Sequence, residues 1–172
     1  KYIWPYISNK KCHRVAKIPI RVLMKLQLTP NTHPILHEKV KKCSYDLNRA
    51  EISKILYENM VHHNGIGLSA NQIGINERVF IMMKDLENEE VITCFNPRIV
   101  KQSSKTCVME EGCLSYPDEF VDVERSESVV VKYEDENKID HKVKLEGLAA
   151  RVFLHEFDHM EGINFTQKKY SK

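Results

Sequence analysis

The amino-acid sequence predicts an α+β fold, with mostly antiparallel β-sheets packed around a buried C-terminal helix and an amphipathic helix earlier in the chain. Three observations predict it. Residues 148–160 are apolar nearly all round, with Ala149, Ala150, Val152, Phe153, Leu154, Phe157 and Met160, and a helix without a polar face belongs inside a protein. Ile52, Ile55, Leu56 and Met60 recur at the spacing of one helix face. Short runs rich in β-branched and aromatic residues come in pairs around polar turns, which argues for hairpins rather than crossover units.

Taken in order, residues 1–37 hold seven Lys or Arg and no Asp or Glu. Residues 1–28 are read as a basic arm on a single domain spanning 1–172. An acidic-poor basic leader resembles the neighbourhood of a cleaved organellar transit peptide; a trimmed, solvated arm is the alternative. Thr29-Pro30-Asn31-Thr32-His33-Pro34 is a loop, since two prolines punctuate it. An amphipathic helix is expected over 44–63, ended by Asn64-Gly65. His62 and His63 fall in its last turn, where positive charge is favoured, and are read as capping neighbours rather than ligands. Residues 79–83 and 91–95 are expected strands around the acidic turn 85–90. A second hairpin is expected from 129–133 and 141–145 around 134–138. The stretch after Cys113, closed by Tyr116-Pro117, is expected to be a short strand lying along a site.

Size and composition set bounds. With 172 residues, 42% hydrophobic and 29% charged, the chain suits one globular core. Its apolar runs are too short to span a bilayer, so no membrane partner is expected. The net charge is +2 and no basic stripe is interleaved with aromatics, so a nucleic-acid substrate is unsupported. Five cysteines, an odd number without framework spacing, argue for free thiols in a reducing compartment.

The chemistry concentrates in His155-Glu156-Phe157-Asp158-His159. On a helix the two histidines project from one face about 6 Å apart along the axis and can grip one divalent metal. Glu156 is turned about 100° from His155, within reach of a water on the ion without being a ligand. Burying two imidazoles and a carboxylate in an apolar helix is costly unless something satisfies them, and a cation does. A hydrolytic site of this kind takes three protein ligands. Phe165 stands where a downstream histidine would be, and residues 162–172 hold no His, Asp, Glu or Cys. The third ligand must therefore lie upstream, among His13, His33, His37, His62, His63, His141, the carboxylates and the cysteines. Cys113, in Glu110-Glu111-Gly112-Cys113-Leu114-Ser115, would complete an S,N,N set suited to a borderline-soft metal; a buried core thiol is the alternative. Gly65-Ile66-Gly67-Leu68-Ser69-Ala70-Asn71-Gln72 is a helix stop and turn by itself, unless Gln72 donates to a developing oxyanion.

Together these stretches resemble the peptide deformylase family. Its motifs, in order, are G-x-G-L-A-A-x-Q, E-G-C-L-S and H-E-x-x-H; this sequence has GIGLSANQ at 65–72, EGCLS at 111–115 and HEFDH at 155–159. Asn96-Pro97, Arg125 and Gly162 extend the likeness, which covers roughly residues 30–165. The resemblance implies that Cys113, His155 and His159 hold one divalent ion with water in the fourth position. It implies that Glu156 moves the proton, that Gln72 and the Leu114 N–H stabilise the oxyanion, and that Gly67 offers backbone to the substrate. Family members remove the formyl group from the initiator methionine of nascent polypeptides and release formate. Formyl-methionyl nascent chains are thus the expected partners, with the ribosome as a further one.

The same resemblance points to Fe2+ as the native ion, with Zn2+ or Co2+ able to take the same ligands. The transit-peptide reading of the basic leader points to an organelle with bacterial-type translation, a plastid before a mitochondrion, with the cytoplasm as the alternative. Ile66, Met109, Leu148 and Val152 are candidates for the methionine pocket, or else ordinary core residues. Three departures stand out. Ser69 replaces the usual alanine, Glu124 stands where proline is common, and Arg151 replaces an apolar residue. Arg151 is expected to lay its stem along the pocket and turn its guanidinium outward. A metallopeptidase is the alternative within the same chemistry, and lacks a downstream ligand here. A non-catalytic, metal-stabilised peptide-binding homologue is the alternative outside it, and leaves Glu156 and Gln72 unexplained.

Overall fold

Helix α1 (Arg49–His62) is followed by strands β1 (Gly67–Ser69), β2 (Val79–Asp85), β3 (Glu90–Gln102), β4 (Thr106–Cys113), β5 (Tyr116–Ser126), β6 (Ser128–Glu134) and β7 (Asp140–Glu146), and then by helix α2 (Gly147–Met160). This computed structural model describes residues 25–171; the basic arm as far as residue 24, with Cys12 and His13, lies outside the described residues. All strand pairs are antiparallel, in one five-stranded sheet of order β1-β2-β3-β6-β7 and one two-stranded sheet, β4-β5. The architecture is the α+β class that the sequence predicts, and both expected hairpins are present. No helix among the described residues is long and apolar enough to cross a membrane.

Side-chain alternation along β2 decides how the layers stack. Phe80 and Met82 face one side, where they pack with Val129, Val131, Leu145 and the α2 residues Phe153, Leu154 and Met160. Val79 and Ile81 face the other, against Leu56 and Met60 of α1. The large sheet thus lies between the two helices. The same period carries into β1, an edge strand: Leu68 joins the α1 cluster, so Gly67 and Ser69 point toward α2. The smaller sheet closes a third cluster, in which Tyr116, Val123 and Phe165 pack together.

Three boundaries differ from the sequence reading. Helix α1 begins at Arg49 rather than at residue 44, because the Asn48 side chain accepts from the Glu51 N–H as an N-cap, while Ser44 is held outside by Glu77. At its other end the left-handed residue is Asn64 (φ 56°). The Gly65 N–H reaches the Met60 carbonyl at 2.7 Å and the Asn64 N–H the Val61 carbonyl at 3.1 Å, which is a Schellman closure. Cys113 does not precede a site-lining strand but ends one. Leu114 and Ser115 form the turn and Tyr116 opens β5, with Cys113 paired to Tyr116. Strand β3 also runs further than expected, through Asn96-Pro97, where a register shift after Phe95 makes room for a proline that cannot donate to the ladder.

Candidate metal centre

Helix α2 is buried almost all round, as its composition requires; His155, Glu156, Asp158 and His159 are each at most 6% exposed. One helical turn separates the two imidazoles, whose rings lie 5.3 Å apart. The β4–β5 turn delivers Cys113 to the same point. Its Sγ lies 3.3 Å from His159 Nε2, and one ligand atom each from Cys113, His155 and His159 falls within 4.8 Å of the others. Two bonds of about 2.3 and 2.1 Å at a tetrahedral angle enclose about 3.6 Å, so the donors fit a small divalent cation with modest closure. Among the described residues this is the group of three such donors that could hold a metal ion. His33 caps a short turn, while His37, His63 and His141 bond to Asn31, Leu26 and Asp135 respectively.

Which histidine nitrogen turns toward Cys113 follows from Glu111, which is wholly buried. Burial pushes its carboxyl up, but hydrogen bonds from Arg125 and His155 outweigh this and hold it well below the usual carboxylate range. An ionised carboxylate only accepts, so the proton between it and His155 Nδ1, 2.9 Å away, sits on the imidazole. That leaves His155 Nε2 as a donor toward the centre, in the carboxylate–histidine arrangement typical of metal sites. Burial depresses both histidines, most plainly His159, which lies well below its usual value. His155 is nevertheless pushed up to about 10 by hydrogen bonds to Cys113 and Glu111. A cation takes an imidazole in its neutral form, so metal binding competes with protonation of these side chains.

Glu111 is itself clamped. Arg125 forks onto both its oxygens and donates a third bond to Asp158 (2.7 Å). Arg151 donates to Glu111 at 2.9 Å and to the carbonyls of Val123 and Cys107 at 2.7 Å each. The expectation of an outward guanidinium at Arg151 is thus corrected: the side chain is 1% exposed, because a buried carboxylate and two backbone carbonyls hold it inside. The sequence reading gave Glu111, Arg125 and Asp158 no role. Their signal was charge inside otherwise buried segments, which must find a partner. Glu124, by contrast, stays on the outer face and accepts from Thr106 (2.7 Å).

A cavity of about 250 Å³ opens beside Cys113 and His155. Glu156 borders it, pushed above the usual carboxylate range by burial against the opposing pull of His155 and of a Ser69 hydrogen bond. Its Oε1 lies where a Cβ on Gly67 would approach to 2.4 Å, so this position admits only glycine without displacement. Gln72 Nε2 lies 3.4 Å from Cys113 Sγ and 3.1 Å from Ser115 Oγ. Ile66, Leu114 and Val152 line the cavity with Tyr116 and Phe120. Met109 and Leu148 do not. Met109 pairs with Val123 further up the hairpin, and Leu148, two turns before His155, packs against the main core. Phe165 closes the back, its ring 5.7 Å from that of His155.

Comparison with known proteins gives a consistent picture. A family model described as polypeptide deformylase matches residues 25–172. A peptide deformylase of Thermotoga maritima is 42% identical over 131 residues, 76% of this chain and 78% of that protein. A chloroplastic peptide deformylase of Oryza sativa subsp. japonica is 38% identical over 145 residues, 81% of this chain and 53% of that one. Among solved structures, the Thermotoga maritima enzyme superimposes with a TM-score of 0.79 at 35% identity, covering 86% of this chain and 99% of that one. A peptide deformylase of Synechococcus elongatus, solved with actinonin, gives 0.81 at 33% identity, covering 92% and 86%.

Proposed function

Because the chain belongs to the polypeptide deformylase family, we propose that it removes the N-formyl group from formyl-methionyl nascent peptides at the cavity beside the cluster of Cys113, His155 and His159. The observation that carries this assignment is the convergence of those three donors beside Glu156 and Gln72. Cys113, His155 and His159 would hold one divalent cation. When bound, the cation supplies Lewis acidity, lowering the pKa of water at its open position toward about 7 and polarising the formyl oxygen.

The remaining steps belong to the chain. Gln72, whose Nε2 lies 3.4 Å from Cys113 Sγ, and the Leu114 N–H would donate to the formyl oxygen as it takes on negative charge, and a donor of this kind is worth about 3 kcal/mol. Glu156 accepts a proton from the attacking water and passes it to the amine nitrogen as the C–N bond breaks, leaving formate and a free N-terminus. Its raised proton affinity suits both halves of that transfer. The unbranched, apolar methionine side chain suits the wall formed by Ile66, Leu114 and Val152. Gly67, on the edge strand β1, would offer backbone to the peptide, as edge strands do.

Ferrous iron is the ion we propose in the cell, on the family resemblance and the mixed sulfur–nitrogen donor set. A plastid is the compartment we propose, supported by the basic, acid-free composition of residues 1–37 and by a chloroplastic relative. The substrate would be met where nascent chains leave a ribosome. The test is formate release from a formyl-methionyl peptide by protein purified without oxygen, with metal content measured alongside. Formate with an intact peptide chain is the expected result. Cleavage of unblocked peptides instead would identify a peptidase, and no turnover with iron, zinc or cobalt would identify a binding homologue.

A further inference from the structure

Ser69, where the family pattern has alanine, is wholly buried and bonds to both polar side chains that border the reaction. Its Oγ lies 2.7 Å from Glu156 Oε2 and 3.2 Å from the Glu156 carbonyl. A hydroxyl has one proton to give; the nearer acceptor, a carboxylate oxygen, is also the stronger one. Its backbone N–H donates to Gln72 Oε1 at 2.9 Å, which fixes the amide so that Nε2 faces Cys113. Strand alternation puts Gly67 on the same side, with Glu156 Oε1 packed against it.

We propose that Ser69 is a positioning residue for deformylation: its hydroxyl ties down Glu156 Oε2, so that Oε1 alone is presented over Gly67 to the water and the leaving amine. This rests on the assignment of Glu156 as proton carrier. An alanine leaves Oε2 to rotate within its buried slot. The backbone hold on Gln72 survives the substitution, so Ser69→Ala isolates the hydroxyl. A hydrogen bond to a charged group is worth enough to change a rate by about 10- to 100-fold.

The test is steady-state kinetics of Ser69→Ala on a formyl-methionyl peptide, alone and combined with Glu156→Gln, with the visible spectrum of the cobalt-loaded protein recorded for each. A fall in kcat of about tenfold or more is expected, with KM within about twofold and the cobalt spectrum unchanged. In the Glu156→Gln background, adding Ser69→Ala is expected to change kcat by less than about twofold, since the partner is already altered. A Ser69→Ala enzyme with unaltered kcat overturns the inference, as does the same loss recurring in full on top of Glu156→Gln. A parent protein that releases no formate overturns the deformylase reading and this inference with it; an active parent with an indifferent Ser69→Ala overturns this one alone.

Discussion

Cys113 and Glu156 border one cavity but differ in what they give to a cation, and single substitutions separate the two. Cys113→Ala removes the only sulfur donor of the S,N,N set and is expected to lose bound metal, read by metal analysis after dialysis. Unchanged metal content in Cys113→Ala would refute the ligand assignment. Glu156→Gln keeps the shape and all three donors; it is expected to retain the metal while kcat falls at least about 100-fold, the usual scale for losing a positioned acid–base group. Gly67→Ala tests the same carboxylate from the opposite side. A Cβ there would stand 2.4 Å from Glu156 Oε1, so the carboxylate must move, and misplacement of about 1 Å at a reacting group can cost about 100-fold. Metal content should be unaffected and kcat should fall; a Gly67→Ala enzyme of full activity would show that Glu156 has room to spare.

The junction of helix α2 with the β4–β5 hairpin is where buried charge does the joining, through Glu111, Arg125, Arg151, His155 and Asp158. Removing the shared anion leaves two buried guanidinium groups short of a partner, a change that typically costs about 3–5 kcal/mol. It also frees His155 to rotate, which commonly weakens metal binding about 10- to 100-fold. Glu111→Gln should therefore melt lower and bind metal more weakly, read by thermal scans and metal titration. Acid gives a second readout. The folded value of Glu111 is depressed, so its stabilisation is fully present above the ordinary unfolded value of about 4.3 and is lost as pH falls below it. In chelator-treated protein, Glu111→Gln should lose less stability than the parent between pH 5 and 3; equal slopes would sink the point. Helix α2 was legible in the sequence because its apolar residues leave no doubt about burial, and H-E-x-x-H fixes which face carries the chemistry. The hairpin was not, because Glu111 and Arg125 occupy inward positions that in an ordinary strand are apolar, and so break the alternation that marks one. Arg151 misled for a related reason. A lone arginine in an apolar helix looks like a side chain seeking water until its partner, forty residues earlier, is known.

The whole molecule is a five-stranded sheet between α1 and α2, with the small hairpin sheet joined to α2 through the Glu111 network and packed by Val123 and Tyr116 on Phe165, just beyond the helix. The candidate ligands come from both of these bodies, Cys113 from the end of the hairpin and the histidines from the helix. A bound cation would therefore also cross-link the hairpin to the helix, adding to the Glu111 network, to the Gln72–Ser115 bond at 3.1 Å and to the packing of Leu114 on the α1 cluster. An ion that binds the folded state alone adds about 4 kcal/mol at a thousandfold excess over its Kd. In a chain of this size each kcal/mol moves the melting point by about 2–4 °C, so stripping the metal should lower Tm by roughly 10 °C. Cys113→Ala supplies the control, because its Tm should respond little to chelator. Equal melting of metal-loaded and stripped parent would mean that the ion does not join the two bodies, whatever it does for the reaction. A large shift in the parent that persists in Cys113→Ala would move the stabilising ion to other ligands.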